Sequence, residues 1–117
     1  MDKIELQKRT KKFSVRVYFL VNKFSNSIGA KAVGTQVIRS SASVAANYRA
    51  ACRAKSKADF INKLKIVEEE ADESLFWLEY IEEVGLATDK NELENLNRYS
   101  DFLTHRLLIN FYNFTRE

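Results

Sequence analysis

The chain has no proline and only three glycines in 117 residues, although average usage would give about six prolines and about eight glycines. This scarcity of turn residues excludes hairpin-rich β-architecture, collagen and flexible linkers. The single cysteine, Cys52, cannot form an internal disulfide. The first residues are charged and lack the apolar core of a signal peptide, so we expect a cytoplasmic protein with no membrane partner.

The composition is typical of one compact domain. Hydrophobic residues make up 45% of the chain and charged residues 30%, which gives enough apolar surface to build a core. A chain of 117 residues has no room for a second full domain. We therefore expect a single domain over residues 1–117.

Apolar spacing predicts two helices in the first half of the chain. Apolar residues recur there with the 3.6-residue period of an amphipathic helix. The first predicted helix covers residues 3–26 and is stopped by Gly29, and the second covers residues 32–53.

The second half of the chain has clear helix boundaries. Ser56, followed three residues later by Asp59, resembles a capping box and starts a long third helix, which Gly85 ends. Asp89 with Glu92 is a second start signal, and it predicts a fourth helix that runs almost to the C-terminus.

Each predicted helix has one apolar stripe that marks its buried face. In chain order the stripe residues are Leu6, Phe13, Val17, Leu20, Phe24 and Ile28; Val33, Val37, Ser41, Val44, Tyr48 and Cys52; Phe60, Leu64, Val67, Ala71, Leu75, Leu78 and Ile81; and Leu93, Leu96, Leu103, Leu107, Phe111 and Phe114. Four helices with short connections favour an all-α fold, an antiparallel up-down-up-down four-helix bundle.

Three of the helices also have a second apolar set on the side away from the stripe. Its members are Val15, Phe19, Ile66, Trp77, Tyr80, Val84, Phe102 and Ile109, and Tyr112 continues it on the fourth helix. Because exposed apolar surface of this extent usually marks a partner, we predict that this set forms the interface of a homo-oligomer. The alternative is a monomer with scattered apolar residues on its surface.

Charge is divided unevenly along the chain. Residues 1–65 have fifteen Lys and Arg against three acidic residues, whereas residues 66–117 have four against thirteen. A nucleic-acid-binding basic half explains this division, and so do two halves that neutralise each other within or between subunits.

The candidate nucleic-acid-binding residues lie on and after the second helix. Arg39, Arg49 and Arg53 share the face opposite its apolar stripe, and Lys55 and Lys57 extend the charge into the connection. Further cations on the first helix are Lys8, Arg9, Lys11, Lys12 and Arg16. Such a face binds phosphates with an affinity that falls as salt rises. The alternative is that the arginines pair with acids of the third helix.

The acidic run 68–73 is the strongest local charge feature of the third helix. Glu69, Asp72 and Glu73 share one side of it, and their mutual repulsion predicts compensation by arginines of the second helix. A divalent cation is the weaker alternative. One histidine, His105, and one cysteine cannot build a structural zinc site or a di-iron site, so we predict no metal.

No catalytic pattern is present in the sequence. It has no Gly-x-Ser-x-Gly elbow, no glycine-rich phosphate loop and no cysteine–histidine neighbourhood. We therefore predict a protein without catalytic residues or a cofactor.

Four segments together resemble one known family. They are Ile38–Ala51 (IRSSASVAANYRAA), Ser56–Leu64 (SKADFINKL), Glu68–Glu73 (EEEADE) and Trp77–Glu79 (WLE). In type, order and spacing they resemble the bacterial four-helix-bundle family of ribosomal RNA intervening-sequence proteins. The resemblance spans about residues 13–111. Many members have Pro-Ala-Asn where this chain has Ala-Ala-Asn at 45–47, and Glu-Gly where it has Ala-Ala at 50–51.

The resemblance implies an antiparallel bundle that assembles into a homopentameric ring and has no established enzyme activity. The family is similar to the accessory protein of diversity-generating retroelements, a basic pentamer that partners RNA and a reverse transcriptase. We therefore expect a non-enzymatic oligomer that binds RNA or an RNA–protein complex. The alternatives are a protein–protein scaffold with complementary charged halves and no nucleic-acid role, and a bundle that holds a small ligand or metal.

Overall fold

The structure, a computed structural model, describes residues 2–115 apart from the side chains at 111, 114 and 115. Its four helices are α1 (Lys3–Asn22), α2 (Ile28–Ala51), α3 (Lys57–Val84) and α4 (Lys90–Thr115), and the described residues include no strand. The all-α prediction is confirmed. The predicted stripe positions Phe111 and Phe114 lie outside the described side chains.

Short polar side chains start all four helices. The Ser56 hydroxyl accepts a hydrogen bond from the Asp59 N–H at 3.1 Å, and the Asp89 carboxylate accepts one from the Glu92 N–H at 3.0 Å, as the sequence predicts. Asp2 and Ser27 do the same for α1 and α2. Each such cap satisfies an N–H that has no partner inside the helix.

The predicted boundary between the first two helices is wrong. α1 ends at Asn22, and Gly29 does not stop it, because Gly29 is the second residue of α2. Capping by Ser27 starts α2 earlier than the predicted residue 32. Ile28, predicted on the α1 stripe, is instead the first residue of α2 and is 90% exposed.

Gly85 ends α3 as predicted. Its φ of 70° is the left-handed conformation that glycine adopts without strain, and its N–H donates to the Glu82 carbonyl at 3.2 Å. The chain then turns and enters α4.

The four stripes converge on one hydrophobic core. All described stripe residues are buried except Phe24, Cys52 and Leu75, which are half-buried, and the exposed Ile28. The interior also contains buried hydroxyls that apolar spacing alone does not predict. They are Thr10, Ser40, Ser74 and Ser100, in addition to Ser41.

Helix α2 packs closely on both neighbours, and small residues make this possible. A Cβ at Gly34 would lie 2.7 Å from Cγ1 of Val21 on α1. On the other side of α2, the Ser74 hydroxyl of α3 donates to the Ser40 hydroxyl at 2.9 Å. The α3–α4 pair completes the core, whereas α1 and α4 pack more loosely.

Long side chains bridge the loose α1–α4 pair. The Arg16 guanidinium donates two hydrogen bonds to the Glu92 carboxylate, at 2.7 and 3.1 Å. It also lies over the Tyr99 ring, 5.8 Å from the centroid, and Tyr99 contacts Phe13. Hydrogen bonding to Glu92 raises the pKa of Arg16.

Candidate nucleic-acid interface

An open groove of about 450 Å³ runs between α1 and the C-terminal half of α2. Its walls are basic, with Lys8 and Lys11 on α1, Arg49 on α2 and Arg53 just after the end of α2. Its other lining residues are small or uncharged, namely Gln7, Ser14, Ala42, Ala45 and Ala46. The absence of bulk along this stretch of α2 keeps the groove open between the two rows of cations.

The four groove cations are available to an outside ligand. Lys8, Lys11, Arg49 and Arg53 form no ion pair with any described residue. The lining includes no acidic residue. The groove therefore concentrates uncompensated positive charge, which favours an anionic ligand.

Arg39 does not line this groove, although the sequence places it on the same helix face as Arg49 and Arg53. Its guanidinium crosses to α3, where it donates to Glu70 at 3.1 Å and also to Glu73. These hydrogen bonds, first of all the one to Glu73, raise the pKa of Arg39. The structure therefore brings together two of the three candidate arginines and neutralises the third.

Lys55 and Lys57 are exposed at the α2–α3 connection, a few residues after Arg53. Neither ammonium group forms an ion pair with a described residue. The nearby Asp59 is already occupied, since it accepts from Lys63 Nζ at 2.6 Å and from the Lys55 N–H at 3.2 Å. These two hydrogen bonds lower the pKa of Asp59.

The three predicted acidic residues of α3 have different surroundings. Glu73 accepts from Arg39 and from the Trp77 indole N–H, the latter at 3.2 Å. Glu69 and Asp72 are exposed and have no ion pair within the described part of the chain. No group of three or more metal-ligating residues occurs among residues 2–115 with described side chains.

The residues of the predicted oligomer interface are on the surface, with one exception. Val15, Phe19, Ile66, Tyr80, Val84, Phe102 and Ile109 are each more than a third exposed. Trp77 is only half-buried and packs against the core. Trp77 and Tyr80 extend into an aromatic cluster with Phe76, with centroid distances between 5.0 and 6.2 Å.

The remaining side chains with potentially reactive groups are Tyr48, Cys52 and His105. Tyr48 is buried in the core, and this burial, with a smaller effect from Cys52, raises the pKa of its phenol. Cys52 is half-buried at the C-terminal end of α2. His105 is exposed on α4. Within the described residues, no helix has the length and apolar character to cross a membrane.

Within residues 2–115 these features define four helices with an open basic groove between α1 and α2. The chain belongs to the 23S rRNA-intervening sequence protein family, whose model matches residues 2–107. The structure is similar to that of a protein of unknown function from the S23 ribosomal protein family of Bacteroides thetaiotaomicron. The two have 31% identity and a TM-score of 0.85 over 96% of this chain and 99% of that one. No curated protein matches the chain.

The cations of the groove can be identified from residue spacing, but spacing does not group them correctly. By spacing, Lys8 and Lys11 are only additional charge on the first helix, yet in the structure they supply all the cations of the α1 wall of the groove. The signal in the sequence is the row of alanines at 42, 45 and 46, which leaves space between the basic residues of two adjacent helices.

Proposed function

We propose that this protein is a non-enzymatic, oligomeric helical bundle that binds RNA through the groove between α1 and α2. The observation that supports this most directly is the set of unpaired cations on both walls of an open groove. Lys55 and Lys57 extend the basic surface beyond Arg53. An RNA–protein complex presents the same phosphates and is included in the proposal.

Phosphate is the chemistry that this groove fits. Arginine guanidinium groups donate two parallel hydrogen bonds to phosphate oxygens, and lysines add point charges. Exposed aromatic rings that would stack on unpaired bases do not line the groove. The proposed contact is therefore with the sugar–phosphate backbone of structured RNA, and it does not depend on the base sequence.

We extend the proposal to an antiparallel up-down-up-down bundle, a single domain over residues 1–117, in a homopentameric ring. The connections 23–27, 52–56 and 85–89 are each five residues long. A connection of that length cannot cross back along the bundle, so consecutive helices run in opposite directions. A ring presents several copies of one groove to the same RNA, which raises avidity without new contacts. The resemblance to basic pentameric accessory proteins supports the ring.

The family name adds support for RNA. It refers to intervening sequences of 23S rRNA, and the solved relative is named for a ribosomal protein family. The first name contains ribosomal RNA and the second contains the ribosome's protein part. We place the protein in the bacterial cytoplasm, where such RNA is found.

A scaffold without a nucleic-acid role is the second candidate, and Arg39 favours it. Its hydrogen bonds to Glu70 and Glu73 show that the basic and acidic halves neutralise each other at one place within a subunit. If neighbouring subunits cover the groove cations in the same manner, no basic surface remains for RNA.

Salt-dependent titration tests the proposal. A labelled RNA hairpin is titrated with wild-type protein and with the variant Arg49→Gln/Arg53→Gln at several salt concentrations. The logarithm of the affinity should fall linearly with the logarithm of salt concentration. The variant should have a shallower slope, by roughly 0.7–0.9 for each lost phosphate contact.

Arg39→Gln is the matched control, because it removes an arginine that is already paired with acids of α3. Its slope should equal that of the wild type. Undetectable binding by wild-type protein at low salt would favour the scaffold. An equal loss in Arg39→Gln and in the groove variant would mean that the groove is not the binding site.

A further inference from the structure

Helices α1 and α3 each have an exposed ridge on their outer side. The α1 ridge consists of Lys8, Lys12, Val15 and Phe19, and the α3 ridge consists of Glu69, Asp72, Phe76 and Tyr80. Within each ridge, neighbours are three or four residues apart, so the members lie on one side of the helix. All eight ridge side chains are exposed.

The two ridges are complementary in charge and follow the same order. Each begins with two charged residues and continues with two apolar ones, and the charges are positive on α1 and negative on α3. None of these four charged residues forms an ion pair in the described part of the chain. Both ridges also expose large apolar side chains, since Phe19 is 60% exposed and Phe76 is 54% exposed.

We propose that the α1 ridge of one subunit docks on the α3 ridge of a second copy, with the two helices parallel. Both ridges extend over eleven residue steps, from Lys8 to Phe19 and from Glu69 to Tyr80. When their ends are aligned, Lys8 faces Glu69 and Lys12 faces Asp72, within one residue of register. At the other end of the contact Val15 faces Phe76 and Phe19 faces Tyr80. An antiparallel contact would place the lysines against the aromatic rings and leave the carboxylates against Val15 and Phe19.

The parallel direction agrees with the ring on which this inference rests. α1 and α3 both pack against α2 and α4, so they lie on a diagonal of the bundle. In an up-down-up-down bundle the diagonal helices run in the same direction. Rotation about an axis along the bundle keeps α1 of one subunit parallel to α3 of the next.

The contact joins two different surfaces, which makes it heterologous. Each subunit contributes one α1 ridge and one α3 ridge, so copies add head to tail until the rotation closes. A two-fold dimer does not use this contact. Docking places acids beside Lys8 and Lys12, so it takes Lys8 from the set of groove cations. It leaves Lys11, Arg49 and Arg53 for the proposed RNA.

Mixing two defective variants tests the heterologous contact. Phe19→Asp damages only the α1 ridge and Phe76→Asp damages only the α3 ridge. Both residues are largely exposed, so neither change disturbs the core. Light scattering during gel filtration should show each variant alone as a monomer of about 13.6 kDa. Their mixture should form a heterodimer of twice that mass through the one intact pair of ridges.

Leu108→Asp is the matched control, since Leu108 is an exposed apolar residue of α4 on neither ridge. It should keep the wild-type mass. A charge exchange gives a second readout: Lys12→Asp should weaken assembly, and adding Asp72→Lys in the same chain should restore it. Circular dichroism must show wild-type helicity for every variant.

Four results would overturn the proposed contact. They are a monomeric wild type at micromolar concentration, a wild-type mass for either single ridge variant, a mixture that stays monomeric, and a mixture that assembles beyond the heterodimer. RNA binding is measured separately with Arg49→Gln/Arg53→Gln, which leaves both ridges intact. If an assembled variant loses RNA binding, the proposed docking contact is unaffected. If a monomeric variant still binds RNA, the proposed groove is unaffected.

Discussion

The same kinds of residue have different surroundings on the two sides of α2. On the α3 side, Ser40 lies against Ser74 with no exposed surface, and Arg39 is neutralised by two glutamates. On the α1 side of its C-terminal half, alanines face an open groove, and Arg49 has no acidic partner among the described residues. Small residues thus permit close packing on the α3 side and leave space on the α1 side of the C-terminal half.

This difference shows that a small side chain has no fixed structural meaning. Where another helix comes close, as α3 does at Ser74, it permits tight packing without a void. Where the neighbouring side chains are long and charged, it leaves space for a ligand. An arginine likewise becomes part of the structure or part of a binding site according to the helix that faces it.

The largest effect should come from adding bulk to the closed side. Ser74→Leu forces an isobutyl group against Ser40 in a position with no exposed surface, and overpacking of this kind costs about 1–3 kcal/mol. The melting temperature should fall by several degrees. The matched control Ala46→Leu adds similar bulk to the open groove and should change stability by less than about 0.5 kcal/mol. Equal losses in both variants would mean that the groove is closed in solution.

The paired and unpaired arginines should differ in stability measurements. Arg39→Met removes the contact with Glu70 and Glu73, so it should lower the urea midpoint at low salt, and the loss should shrink at high salt. Arg49→Met keeps a similar length without charge and should leave the midpoint unchanged at both salt concentrations. A salt-dependent loss at Arg49 would reveal an acidic partner in solution and remove it from the RNA proposal.

Local features of the fold can be predicted from the sequence. The caps at Ser56 and Gly85 and most of the apolar stripes depend on residues three or four positions apart, and they are correct. The predicted start of α2 is wrong. Glycine often ends a helix, which makes Gly29 a predicted terminator, but capping by Ser27 places Gly29 in the first turn of α2. Two local signals compete there, and hydrogen bonding of the Ala30 N–H decides between them.

The candidate site could be predicted only in part. Arg39 and Arg49 are about 80° apart around α2, which is close enough to share a face by periodicity alone. Yet Arg39 lies towards α3 and Arg49 lies towards α1. The packing of the four helices, and not the spacing along α2, determines this difference. Charge spacing therefore identifies the basic residues, whereas tertiary structure decides which of them have partners.

The smallest predicted effect concerns Asp59, the acid that lies beside the basic end of the open side. Its carboxylate accepts from Lys63 and from the Lys55 N–H, and these bonds lower its pKa in the folded chain. Folding therefore favours the charged carboxylate. Its contribution to stability is complete at neutral pH, above the ordinary carboxyl pKa, and is lost as pH falls through the lowered value.

Asp59→Asn should consequently unfold at a lower urea concentration than the wild type at pH 7, and the difference should disappear at acid pH once the wild-type carboxyl is protonated. Asp101→Asn is the control, because Asp101 is exposed and has no ion pair with the described residues. It should leave the midpoint unchanged at pH 7. If the Asp59→Asn difference persists unchanged at acid pH, lost charge is not its cause. An unchanged midpoint at pH 7 would instead mean that Asp59 is free to neutralise Lys55 or Lys57, which would weaken the basic surface proposed for RNA.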